Sequence, residues 1–173
     1  MPNKVVIRRL ATGVPGLDAI LGGGLPEYSF NLIVGAPGSG KTTLAHQIMF
    51  ALATRERPAL FFTVLGEPPM KMLRYQQQFS FFDLDQIDQS IRFVNLSAEV
   101  SAGNFEQVLA RIAHEVEAVS PALVFVDSFR SVMLEAQQQA SGAISLQQFI
   151  QQLGTNLSSW QATTFLVGEH ERT

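Results

Sequence analysis

Eight residues constrain this chain more than any other feature: Gly35-Ala36-Pro37-Gly38-Ser39-Gly40-Lys41-Thr42 fits G-x-x-x-x-G-K-[ST] without a mismatch. The octamer follows a β-branched and aromatic run over 29–34 and opens a helical stretch over 41–53, the context the motif requires. Its glycines permit backbone angles closed to other residues and let bare amides approach an anion. The helix amino terminus adds unpaired donors and the positive end of its dipole. Such a strand–loop–helix commits the chain to an α/β architecture and predicts a bound nucleoside triphosphate. Lys41 is expected to reach the β- and γ-phosphates, and the Thr42 hydroxyl to ligate magnesium. Thr43, an ordinary first-turn residue, is the next candidate for contact with the α-phosphate.

The rest of the chain repeats the alternation. Apolar runs at 59–64, 91–95, 123–126 and 163–167 read as strands, and 69–79, 104–119 and 143–160 as helices. The runs are continuously apolar, as expected of parallel strands covered on both faces. Leu109, Ile112, Ala113 and Val116 recur at the spacing of one buried helical face. The expected fold is a three-layer α/β/α domain with a mainly parallel central sheet and right-handed crossovers. No repeat or linker interrupts it, so 1–173 reads as a single domain. The glutamine runs at 76–78 and 137–139 read as solvated polar faces, and Trp160 as a packing residue before the last strand.

A metal needs a second oxygen ligand. Asp127 ends the apolar run 122–126, which puts its carboxylate at the carboxyl edge of the sheet, where ligands bind in such folds. There it could hold a water on magnesium and orient Thr42; the competing reading is a cap for a helix starting near Ser128. Hydrolysis also needs a carboxylate to polarise water. Glu67, just past the run 59–64, is the first candidate, and a surface glutamate preceding a helix that contains Pro69 is an equal alternative. Glu169, just after the last strand, is a weaker rival.

Composition excludes several classes. The chain has no cysteine, which excludes disulfides and thiolate metal sites and suits a reducing cytosol. No apolar run approaches the roughly 18 residues needed to cross a bilayer. A net charge of -3 supplies no global attraction to nucleic acid. No N-K-x-D string for guanine recognition occurs, so ATP is preferred to GTP, while the adenine contacts cannot be located; Met49, Phe50 and Phe79 read as packing residues. His46, His114 and His170 form no metal set, and each reads as a solvated or core-edge histidine.

The run Thr12-Gly13-Val14-Pro15-Gly16-Leu17-Asp18-Ala19-Ile20-Leu21-Gly22-Gly23-Gly24-Leu25-Pro26, followed by the phosphate loop, resembles the KaiC branch of the RecA-like ATPases. Phe62-Thr63, Glu67-Pro68-Pro69 and 124–128 extend the likeness over nearly the whole chain. The resemblance implies a RecA-like core in which the fifth of the strands read above lies between the first and fourth, preceded by an amino-terminal family segment over 1–26. It also implies ATP bound between subunits of a homo-oligomer, commonly a six-membered ring, and leaves room for a protein signalling partner. Glu67 matches the second of two adjacent family glutamates, with Gly66 in place of the first. Gly168 stands where a polar, phosphate-sensing residue is more usual. Both departures bear on hydrolysis and leave binding untouched. RecA-type cores continue into further strands bearing basic residues, and Arg172 matches none of them, which implies a fragment or a protein without those residues. The segment that would hold DNA in the wider superfamily, 135–145, contains no Lys or Arg, so DNA binding is not expected.

Overall fold

The computed structural model describes residues 6–64, 69–102, 105–128 and 146–169. In chain order the elements are β1 (Arg9–Leu10), α1 (Leu17–Ile20), β2 (Leu25–Pro26), β3 (Phe30–Gly35), α2 (Lys41–Leu52), β4 (Ala59–Thr63) and α3 (Pro69–Gln76). They continue with β5 (Ile91–Asn95), α4 (Ser97–Ser101), α5 (Phe105–Val119), β6 (Leu123–Asp127), α6 (Leu146–Ser159) and β7 (Thr163–Glu169). Five strands form one parallel sheet in the order β3-β7-β6-β4-β5. The last strand therefore lies between the first and fourth of the sheet, as the resemblance implied.

Each face of the sheet has its own apolar layer. Leu60, Phe62, Val124, Val126 and Leu166 meet Val108, Ile112 and Val116 of α5 and Leu153 of α6. On the opposite face Ala45, Ile48, Met49 and Phe50 of α2 cover Phe61, Phe125, Phe165 and Val167. Strand register sets Phe93, Phe61, Phe125 and Phe165 in one row across four neighbouring strands. The Phe125 and Phe165 rings stack at 4.5 Å, a spacing that adds to their area burial. A three-layer α/β/α, RecA-like fold results. Glu115, buried on α5, accepts from Arg111 at 2.9 Å and Arg92 of β5 at 3.2 Å, which ties that helix to the sheet.

The amino-terminal segment is a cap on the α2 face. Leu10, Val14, Leu17 and Leu25 pack into the layer beneath α2. Asp18 accepts from the Thr12 amide at 2.7 Å and its hydroxyl at 2.8 Å, and these bonds hold its carboxyl below the usual range. Arg9 donates to the Leu21 and Gly24 carbonyls. Gly24 lies so close to the paired strand that a Cβ would sit 2.1 Å from the Leu10 carbonyl oxygen. The spacing of the long amino-terminal motif is thus the spacing of one turn closed by these contacts.

Several sequence expectations are corrected. α2 ends at Leu52 because Ala53 is extended, and α3 ends at Gln76 rather than 79. The strand expected over 29–34 runs Phe30–Gly35, and the last strand continues to Glu169. Gln76 is buried, while Gln77 and Gln78 are exposed; 137–139 lies outside the described residues. Met49 and Phe50 are buried, while Phe79 is 38% exposed and stacks on Phe81.

His46 is neither solvated nor at the core edge: it is 0% exposed, with its ring 4.7 Å from that of Phe61 and 5.9 Å from that of Phe93. Among the described residues neither ring nitrogen has a hydrogen-bond partner of good geometry, and the nearby Gln76 amide opposes the effect of burial only weakly. Burial holds its pKa down to about 4. The unfolded chain takes up this proton near pH 6.5 and the folded chain does not. Stability from this group is therefore complete above pH 6.5 and falls by about 3 kcal/mol as pH drops to 4. Urea melts at pH 7 and pH 4.5 are expected to register that loss in wild type, and His46→Leu to be spared it. Parallel losses in both proteins would exclude His46 as the cause.

Candidate functional site

The phosphate-loop octamer forms the turn between β3 and α2, at the carboxyl edge of the sheet. Gly40 adopts φ 86 at the head of α2, a left-handed conformation that other residues rarely enter. Within the turn the Ser39 amide donates to the Ala36 carbonyl at 3.2 Å. Gly35, Ala36, Pro37, Gly38 and Ser39 form the loop itself, with 36–40 exposed, and Lys41, Thr42 and Thr43 occupy the first helical turn. The Lys41 ammonium donates to the Ala36 carbonyl at 2.8 Å, which holds the charge across the loop.

Asp127 is the last residue of β6, in register with Thr63 on β4 and Val167 on β7. It is 6% exposed. The Thr42 hydroxyl donates to its Oδ2 at 2.6 Å. Residues 85 positions apart in the chain are thereby joined at the foot of the loop. Burial pushes the Asp127 carboxyl up; the Thr42 hydroxyl and the Lys41 charge pull it down, and Glu169 adds repulsion. Its proton is held to higher pH in the folded chain than in the unfolded one. Its contribution to stability is accordingly present at low pH and lost as pH rises through the raised value.

A hydroxyl and a carboxylate in contact are the hard oxygen donors that magnesium prefers. Among the described residues no three His, Cys, Asp or Glu side chains gather into a cation cage. A cation at Thr42 and Asp127 would take its remaining ligands from phosphate and water, as magnesium commonly does. Asp127→Asn keeps a carbonyl acceptor for Thr42 while removing the buried charge. Thermal melts without ligand are expected to rise by about 2–4 °C, for roughly 1 kcal/mol gained. Any stabilisation by added magnesium with nucleotide is expected to shrink; an unaltered magnesium response would remove Asp127 from the metal site.

Glu67 lies outside the described residues. The strand before it ends beside the site: Val64 donates its amide to the Asp127 carbonyl at 3.2 Å. Glu169, expected past the last strand, is its final residue and pairs in register with Gly35. It is exposed, yet its charge reaches Asp127. Thr63, expected within the second strand and part of the family likeness, is set, buried, beside Asp127 by the sheet. Its signal, a polar residue ending an apolar strand, is the same one that marked Asp127. His114 is exposed, and Trp160 packs against the α5–α6 layer.

The family model for the KaiC ATPase matches residues 10–173. The chain belongs to the KaiC ATPase family. A KaiC-like protein of Pyrococcus horikoshii, known from its crystal structure, is 27% identical and superposes with a TM-score of 0.78 over 95% of this chain and 72% of that one. A UPF0273 protein of Methanopyrus kandleri is 36% identical over 75 residues, 43% of this chain and 29% of that protein. The circadian clock oscillator protein KaiC of Prochlorococcus marinus is 28% identical over 138 residues, 75% of this chain and 27% of that protein. The chain spans less than half the length of the curated KaiC-family and UPF0273 relatives it matches here. Among the described residues no helix is long and apolar enough to cross a membrane.

Proposed function

We propose that this chain binds ATP with magnesium at Gly35–Thr43 and hydrolyses it to ADP and phosphate, coupling the nucleotide to assembly or signalling in the cytoplasm. The observation that carries the reading is the 2.6 Å bond between Thr42 and Asp127 at the head of α2. It joins the hydroxyl expected to ligate magnesium to the carboxylate expected to steady it. The loop amides and the α2 terminus donate to phosphate oxygens, and Lys41 leaves the Ala36 carbonyl to neutralise the β- and γ-phosphates. Bound magnesium would withdraw charge from the same oxygens. Thr42 is a direct ligand in this reading, and Asp127 acts directly or through water. Glu67 aligns the attacking water and accepts its proton.

Assembly into a homo-oligomer, with a ring as the family form, is supported by the edge strand β3. Its Leu32 and Val34 are 64% and 54% exposed, apolar surface on a strand whose outer edge has no partner among the described residues. A second reading, a nucleotide-binding scaffold with little turnover, is favoured by Gly168. It sits in β7 in register with Val34 of the phosphate-loop strand and offers no polar side chain.

Molecular mass and phosphate release measured together, with and without ATP-magnesium, test both. The expected result is a nucleotide-dependent rise in mass together with sustained release. Binding without release would favour the scaffold, and no heat of association with ATP would remove both.

A further inference from the structure

Four chain connections meet at the amino-terminal edge of the sheet, the edge opposite the phosphate loop: β2–β3, α2–β4, α5–β6 and α6–β7. They enclose an open cleft of about 310 Å³ lined by Glu27, Tyr28, Arg57, Ser120, Trp160 and Gln161, among others. That volume is at the lower end of what small-molecule sites occupy.

The backbone around the cleft is unusual. Four non-glycine residues in the described chain have positive φ, and three of them, Tyr28 (φ 61), Ser120 (φ 48) and Gln161 (φ 55), line it. Ser120 and Gln161 follow the carboxyl ends of α5 and α6, where a left-handed residue is common and glycine meets that demand without strain. The chain carries side chains at these positions instead, and at Tyr28 a large one. Strain of this kind concentrates at ligand sites, where the side chain is worth its conformation.

The charge of the cleft is also unbalanced. Glu27 is largely covered, and its carboxylate has the Arg8 guanidinium 3.9 Å away. Arg57, partly buried, has no carboxylate partner among the described residues. A guanidinium offers a fork of donors that matches a carboxylate or phosphate, and beside it stand a phenol ring and an indole. We propose that this cleft is a second ligand site, which takes a small anion carrying a planar ring, the anionic group on Arg57 and the ring against Trp160 and Tyr28. Nucleoside monophosphates and aromatic carboxylates share that chemistry. The site stands roughly 20 Å from the phosphate loop, the length of β3 and its flanks, so its occupancy is separable from binding there.

Trp160 is the sole tryptophan in the sequence, and so its fluorescence reports this cleft directly. The 173-residue chain is titrated with AMP and, separately, with phenylacetate, with excitation at the red edge of the indole band and calorimetry on the same samples. A saturable response is expected with one of them, and which one assigns the anionic group. Arg57→Ala is expected to weaken it at least tenfold with unchanged circular dichroism, and Lys41→Ala to leave it intact. Gln161→Gly is expected to melt higher than wild type and bind more weakly, and it carries the test should Arg57→Ala fail to fold. Absence of fluorescence change and of heat with both compounds would overturn the proposal. So would a response that Lys41→Ala abolishes, or one unaltered in folded Arg57→Ala or, should that variant not fold, in Gln161→Gly.

Discussion

Lys41→Ala is expected to weaken ATP binding by about a hundredfold or more while leaving the fold intact. The ammonium is the only side-chain cation in the Gly35–Thr43 segment, and it is held at the loop by one bond to the Ala36 carbonyl. In the proposed bound state it would exchange that neutral acceptor for anionic phosphate oxygens. Charge-assisted hydrogen bonds contribute about 1.5–3 kcal/mol each, and two of them correspond to two or more powers of ten in affinity. Folding is not expected to depend on the side chain, which is only partly buried and stands in the first turn of α2. Calorimetry with ATP-magnesium, alongside a thermal melt of each protein, measures both halves. Undiminished affinity would mean that the loop amides alone hold the nucleotide, and the proposed division of labour would fail.

The second large effect concerns turnover. Glu67→Gln keeps the size of the side chain and its ability to contact water, but removes the proposed base. A positioned carboxylate contributes about 10²–10⁴ in rate, so phosphate release is expected to fall by about a hundredfold at least, with ATP affinity unchanged. The assay compares release at saturating ATP with affinity measured separately, so that binding and chemistry are not confounded. Equal turnover in mutant and wild type would reassign the task. Glu169 is then the next carboxylate to replace, because it ends β7 directly beside Gly35.

The phosphate loop was legible in the sequence because all of its determinants are contiguous. A strand, a glycine-rich turn and a helix follow one another without interruption, and the backbone geometry each requires is specified locally. Asp127 was legible for a related reason: an apolar run that ends in a carboxylate fixes which edge of the sheet that carboxylate reaches. The long amino-terminal motif was recognisable as a pattern, whereas the reason for its spacing was not. Only the folded chain brings Asp18 onto Thr12 and Gly24 against Leu10.

Other features depend on which elements become neighbours. His46 reads as polar on a helix, yet register across the sheet sets Phe61 and Phe93 beneath it, and its charge is excluded. The cleft at the amino-terminal edge draws its lining from four connections whose residues span Glu27 to Gln161, and no local pattern announces it. Glu169 acquires its influence on Asp127 because β7 pairs with β6, where Val167 is in register with Asp127, not because of anything in its own surroundings. Sequence by itself determined the α/β alternation, the glycine-rich turn between strand and helix and the edge where it opens, since hydrophobic period and backbone permissiveness are properties of short segments. Tertiary structure decided which distant groups share a dry or charged environment, because burial and electrostatic coupling arise only when separate segments are packed together.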